Sequence, residues 1–261
     1  MEKFKFKKKF GQNFLQDENI LRKINECVDV KTDDLIIEIG PGHGALTKYL
    51  KNKGAQVICY EIDLDTKDVL LPLEDAKTKI IFQDFLDVNL IDDLKAYSYN
   101  NLYIIANLPY YITTPIIQKI IDSKIDPKTM ILMVQKEVAE RFNAKPKSKA
   151  YNSLTVYLNY YFDIKTEFIV GRNSFYPIPN VDSAIIRFDA KCEKLKLNNM
   201  EDFNKILRES FKQKRKTLRN NLGTEIFNEI FPILASHGHL EMVRAEEISL
   251  EEFVEIANYL K

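Results

Sequence analysis

The 261-residue chain has only three cysteines and three histidines. Cys27, Cys59 and Cys192 are far apart and odd in number, so reduced core thiols are expected rather than a disulfide framework or a zinc site. There is no CxxC or HExxH, and His237 and His239 have no thiolate near them in sequence, so no metal is expected. No stretch approaches the run of about 18 apolar residues that crosses a bilayer. The start, MEKFKFKKKFGQNF, is basic but lacks the apolar segment of a secretory signal. These absences predict a cytoplasmic protein with no membrane partner. Internal repeats and low-complexity tracts are also missing. Net charge is zero, which argues against a generic polyanion binder.

Hydrophobic residues make up 45% and charged residues 29%, enough apolar matter for a core without metal or disulfide support. The length allows one large domain, alone or with a small appendage. Charge is unevenly spread. Positions 2 to 9 carry five lysines against one glutamate, and Arg208 to Arg219 holds six basic side chains against Glu209 alone. Local basic patches on a neutral body suit a protein that grips phosphate at chosen places, although either patch alone also reads as a solvated face.

Short apolar runs alternate with helical patterns. LIIEI (35–39), QVICY (56–60), KIIF (79–82), LYIIA (102–106) and MILMV (130–134) read as buried strands. Helices are expected from Ala45, after a cap at Thr113 or Thr114 with Pro115 in the first turn, and near Gln135. Strands separated by helix-length segments imply an α/β fold with a parallel sheet covered on both faces. Residues 162–170 and 184–188, joined by FYPIPNVDS, read as an antiparallel hairpin closing one edge. Beyond about residue 190 only helical patterns occur, at 201–222 and 250–260, which suggests a small all-helical appendage.

Glu38-Ile39-Gly40-Pro41-Gly42-His43-Gly44 ends the first strand and opens a helix. Glycines here let the backbone approach a ligand in the crevice beyond the strand ends. Because Gly40, Gly42 and Ala45 also fit a loose dinucleotide fingerprint, this loop alone leaves open a nicotinamide or flavin cofactor and S-adenosylmethionine. Glu61 follows the second strand, where its carboxylate is able to accept both ribose hydroxyls in bonds worth roughly 1.5–3 kcal/mol each. Asp84, after the third strand, is a candidate acceptor for the amine of a cofactor adenine.

Asn107-Leu108-Pro109-Tyr110 ends the fourth strand and carries the sharpest chemical implication. The exocyclic nitrogen of adenine is a poor nucleophile because its lone pair is delocalised into the ring. Two acceptors for its hydrogens, the Asn107 side-chain oxygen and the Leu108 carbonyl, would draw it toward tetrahedral geometry. Pro109 stiffens the turn. Tyr110 offers a stacking plane worth roughly 1–3 kcal/mol. Phe175, in the proline-stiffened FYPIPNVDS, is the expected second aromatic, sandwiching a flipped adenine against Tyr110.

In this order, FGQNFL (10–15), Glu38–Thr47, EID (61–63), Asp84-Phe85, NLPY, QKEVA (135–139), Phe175–Ala184, RKTLRNNL (215–222) and RAEE (244–247) closely resemble the KsgA (RsmA) family of small-subunit rRNA adenine dimethyltransferases. The likeness covers nearly the whole chain. It implies a class I S-adenosylmethionine-dependent methyltransferase, Rossmann-like, divided into a catalytic domain with a basic arm (1–190) and a helical RNA-binding domain (191–261). The implied reaction is dimethylation of two adjacent adenosines in the 3′-terminal hairpin of 16S rRNA in the small (30S) ribosomal subunit, late in its assembly. The implied cofactor contacts are Asn13, Leu15, Gly40, Glu61, Asp84 and Asn107, with Gly42 from the glycine loop. Asn13 and Leu15 rest on the resemblance alone. A monomer is expected.

If 207–222 is one helix, Leu207, Phe211, Leu218 and Leu222 share an apolar face, and Lys212, Arg215, Lys216 and Arg219 form the neighbouring phosphate-binding face. Three alternatives differ in their consequences. An Erm-type enzyme would modify 23S rRNA. A non-catalytic assembly or transcription factor would bind nucleic acid without methyl transfer. A nicotinamide oxidoreductase would leave NLPY and both basic patches without purpose.

Overall fold

Runs of Ile, Val and Leu crowd both faces of a strand, so they form stable sheet only where helices cover each side. In the computed structural model, which describes residues 14, 15 and 17–260, they do so. The elements in chain order are β1 (Phe14–Leu15), α1 (Glu18–Glu26), β2 (Leu35–Ile39), α2 (Ala45–Lys51), β3 (Gln56–Glu61), α3 (Lys67–Leu70), β4 (Thr78–Phe82), α4 (Leu90–Leu94), β5 (Leu102–Asn107), α5 (Thr113–Asp122) and β6 (Thr129–Gln135). There follow α6 (Lys136–Phe142), α7 (Ser153–Tyr161), β7 (Phe162–Val170), β8 (Phe175–Tyr176), β9 (Ser183–Ala190), α8 (Met200–Ser210), α9 (Leu218–Leu222), α10 (Thr224–Ser236) and α11 (Leu250–Tyr259).

Seven strands form one sheet in the order β4-β3-β2-β5-β6-β9-β7. The first five are parallel, β9 runs antiparallel to β6, and β7 takes the edge. Every residue of β2 is buried. The chain moves from β2 outward to β4, then returns to lay β5 on the other flank of β2. This reversal opens a crevice at the carboxyl ends of β2 and β5, where open α/β sheets bind ligands. A separate pair, β1 with β8, matches Phe14 with Tyr176 and Leu15 with Phe175.

The chain divides into two compact units. Residues up to Ala139 and Lys165–Ala190 form one, and Glu140–Ile164 joins the chain from Lys191 onward in the other. The boundary expected at 190 therefore omits an earlier excursion. Residues 140–164 belong with the C-terminal helices because they are bonded to them: Tyr151 Oη donates to the Ile248 carbonyl at 2.9 Å, and the Lys147 amide donates to the Glu246 carbonyl at 2.7 Å. The Tyr160 ring lies 5.6 Å from that of Phe203. Among the described residues no helix is long and apolar enough to cross a membrane, and no His, Cys, Asp and Glu cluster suits a metal.

Two helix expectations need correction. Ile112 is the residue before α5, and Thr113 is its first helical residue with a buried side chain, so neither threonine caps it. Residues 207–222 are not one helix. It breaks after Ser210, and the Asn221 side chain satisfies the break by donating to the carbonyls of Ser210 and Gln213 and accepting from the Gln213 amide. Thr217 then starts α9 by accepting from the Asn220 amide.

Candidate active site

The parallel register sets Ile39 beside Tyr60 on one side and Ala106 on the other. Gly40, directly after β2, and Glu61 and Asn107, the last residues of β3 and β5, therefore emerge together at the crevice. Gly40 and Gly42 have φ of 69° and 58°, values that disfavour any side chain. The Gly40 amide donates to the Tyr60 carbonyl, fastening the loop to β3. A Cβ on Gly42 would sit 3.0 Å from the Phe14 ring, a tight contact that would make the ring shift.

Glu61 is only 3% exposed. Its Oε2 accepts the Gly42 amide at 2.9 Å and its Oε1 the Asp63 amide at 2.8 Å. Burial pushes its carboxyl up from the ordinary range, and the amides of Asp63, Gly42 and Ile62 pull it back. On β2, burial pushes the Glu38 carboxyl up to about 7. The Cys59 thiol donates to Glu38 Oε2 at 3.5 Å. Asp84 starts a short turn by accepting the Leu86 amide at 2.9 Å on Oδ1.

Gly40, Gly42, Glu61, Asp84, Asn107, Leu108, Pro109 and Tyr110 all line one cavity of about 190 Å³. Tyr110 Oη lies 2.8 Å from Ser183 Oγ at the start of β9, which fixes the ring against rotation out of the mouth. A neighbouring cavity of about 330 Å³ shares Phe14, Gly40, Pro41 and Asn107 with the first.

Two expected site residues do not line this cavity, and a third is not among the described residues. Asn13 falls outside the described residues. Leu15 is buried and lines the neighbouring cavity. Phe175 is 3% exposed in the core with Leu15, Val170 and Ile185, and it does not line the main cavity. Strand alternation is the reason: pairing with β1 turns Phe175 inward, and Tyr176, 53% exposed, faces out. The sequence reading missed Phe14, which lines both cavities and stacks on His43 with centroids 4.3 Å apart. It also missed Tyr111, beside NLPY and exposed at the cavity rim.

The cation set occupies the α8–α9 loop and the start of α9. Lys212 pairs with Glu209 at 3.3 Å, and Arg219 pairs with Glu241 at 3.2 Å. Arg215 and Lys216 are exposed on the loop, without an ion-pair partner among the described residues.

The model of the family described as ribosomal RNA adenine dimethylase matches residues 3–261. The chain belongs to that family. Relatives named ribosomal RNA small subunit methyltransferase A include those of Lactococcus lactis, 43% identical over 98% of this chain and 90% of that one, and Streptococcus pneumoniae, 42% identical over 99% and 93%. Among solved structures, a dimethyladenosine transferase from Plasmodium falciparum matches with TM-score 0.75 and 25% identity, covering 93% of this chain and 95% of that one. The 23S rRNA methyltransferase ErmE matches with TM-score 0.74 and 23% identity, covering 95% and 99%, a likeness of fold. This rRNA adenine dimethylase thus has the methyltransferase fold and uses S-adenosylmethionine. Its cavity fits that group: the buried Glu61 carboxylate and a glycine turn at positive φ stand on one side, with Asp84 among the other lining residues.

Proposed function

We propose that this dimethylase acts on small-subunit (16S) rRNA, converting two adjacent adenosines of the 3′-terminal hairpin to N6,N6-dimethyladenosine late in assembly of the 30S subunit. The observation that carries this reading is that NLPY lines the same cavity as Gly42 and Glu61. The names of the full-length relatives favour the small subunit.

Glu61 would accept the ribose hydroxyls, with its own amide bonds holding the carboxylate in place. Asp84 would accept from the cofactor adenine amine through the oxygen not used by Leu86. Bound S-adenosylmethionine supplies a methyl group activated by a sulfonium. Asn107 and the Leu108 carbonyl accept the two hydrogens of the target amine and localise its lone pair. The lone pair so localised would be directed at that methyl group, and the proton shed by the methylated nitrogen would pass to water. The second transfer repeats these changes. Tyr110, held by Ser183, supports one face of the base. Catalysis so described rests on positioning and preformed acceptors, without a strong base.

The C-terminal unit would bind RNA through Lys212, Arg215, Lys216 and Arg219. The enzyme would work as a monomer and in the cytoplasm, where its substrate is assembled. Methyl transfer from labelled cofactor to small-subunit particles lacking the modification, followed by nucleotide mapping, tests the proposal. Label on the adjacent adenosines is expected. Label on large-subunit rRNA alone, in a parallel reaction, would favour the Erm-type alternative.

A further inference from the structure

Leu240 and Met242 are 78% and 75% exposed, more than any other large hydrophobic residue described. They lie on the turn between α10 and the short helical turn Ala245–Glu247. Val243 beside them is buried, while these two stand out from the surface two positions apart. The turn is tied twice to the start of α9, which directly follows the basic loop. The Leu218 amide donates to the Val243 carbonyl at 2.8 Å, and Arg219 Nη1 donates to Glu241 Oε2 at 3.2 Å. Glu241, the acid between the two apolar residues, is engaged by Arg219. Residues 208–219 carry six cations against Glu209, and residues 240–247 carry Arg244 against Glu241, Glu246 and Glu247, so the two stretches together remain net positive.

We propose that Leu240 and Met242 pack against unstacked bases of the rRNA while the adjacent basic loop holds its phosphates. An apolar pair beside concentrated positive charge calls for a partner that is both anionic and apolar. Structured RNA offers apolar surface to a protein where bases are splayed out, in loops, bulges and helix ends, because the deep groove of its helix excludes side chains. Apolar residues elsewhere wedge against base steps in the same way. The inference rests on the proposed RNA-binding role of this unit and adds to it a contact that recognises single-stranded features rather than charge.

The full-length chain and its L240S/M242S variant should be titrated with unmodified small-subunit rRNA transcript over a range of salt concentrations. A fully paired RNA duplex serves as control. Both side chains are largely exposed, so melting temperature and S-adenosylmethionine affinity should stay at wild-type values. The variant is expected to bind the transcript roughly tenfold more weakly at every salt concentration. The salt slope and duplex affinity should be unchanged, because no phosphate contact is lost. R215E/K216E, in contrast, should lower the slope on both RNAs. If L240S/M242S binds the transcript like wild type, the apolar contact is refuted while the basic-loop role stands. If R215E/K216E leaves the slope intact, the basic-loop role itself fails. Sedimentation showing self-association of wild type but not of L240S/M242S would assign the pair to a second copy of the chain and overturn the proposal.

Discussion

The Gly42 amide donates to Glu61 Oε2 at 2.9 Å, joining the loop after β2 to the end of β3. One carboxylate therefore fixes the glycine turn and faces the cavity that the turn walls. Oε2 accepts the Gly42 amide and Oε1 that of Asp63, and the Ile62 amide adds to them, so backbone donors hold the carboxylate in place beside the cavity. Glu61→Gln puts an N–H₂ where an acceptor is needed, at either the turn or the ligand. The loss of about 1.5–3 kcal/mol corresponds to roughly 10- to 100-fold weaker S-adenosylmethionine binding by calorimetry. Unchanged affinity in a folded variant would remove Glu61 from the binding account.

Tyr110 and Ser183 make a second link, 2.8 Å between hydroxyls on segments 73 positions apart. Ser183→Ala and Tyr110→Phe should each lower kcat/KM for RNA about 3- to 10-fold, the value of a neutral hydrogen bond. Cofactor affinity should not change. The double variant should be no worse than either single one, because both remove the same bond. Additive losses would mean that the hydroxyls act independently.

The alternation of apolar strands with helical segments carried the parallel sheet, and glycine and NLPY at strand ends carried the crevice, because these signals are local. What escaped the sequence depends on pairing between distant segments. A two-residue strand such as Phe14–Leu15 has no periodicity of its own. Only its pairing with β8 decides that Phe175 points into the core and Tyr176 outward. The basic stretch has helical spacing throughout, yet Asn221 folds back to satisfy the carbonyls of Ser210 and Gln213 and makes a loop more favourable than a continuous helix. The excursion of residues 140–164 into the C-terminal unit left no compositional mark. It is set by contacts such as that of Tyr151 with Ile248.

Glu38 predicts a specific pH dependence of stability. Burial raises its carboxyl from 4.5 to about 7 in the folded protein. Between these values the unfolded chain is ionised while the native one keeps its proton, so stability falls as pH rises and levels off above about 7. Below 4.5 both states are protonated and the contribution vanishes. Glu38→Gln removes this titration. Relative to wild type it should gain about 2–3 kcal/mol between pH 5 and pH 8, since one pKa unit is worth about 1.4 kcal/mol. Denaturant titrations at both pH values measure the difference. Parallel pH profiles for the two proteins would show that Glu38 is ionised in the native state.

Asn107 tests the catalytic account most directly. Asn107→Ala removes one of the two acceptors for the target amine and leaves the buried strand beneath it intact. With melting temperature matched to wild type, single-turnover formation of N6-methyladenosine and N6,N6-dimethyladenosine in unmodified small-subunit particles should fall at least 100-fold, the scale of losing one preorganised transition-state hydrogen bond, roughly 2.7–4 kcal/mol. Dimethyladenosine formed at the wild-type rate would contradict it.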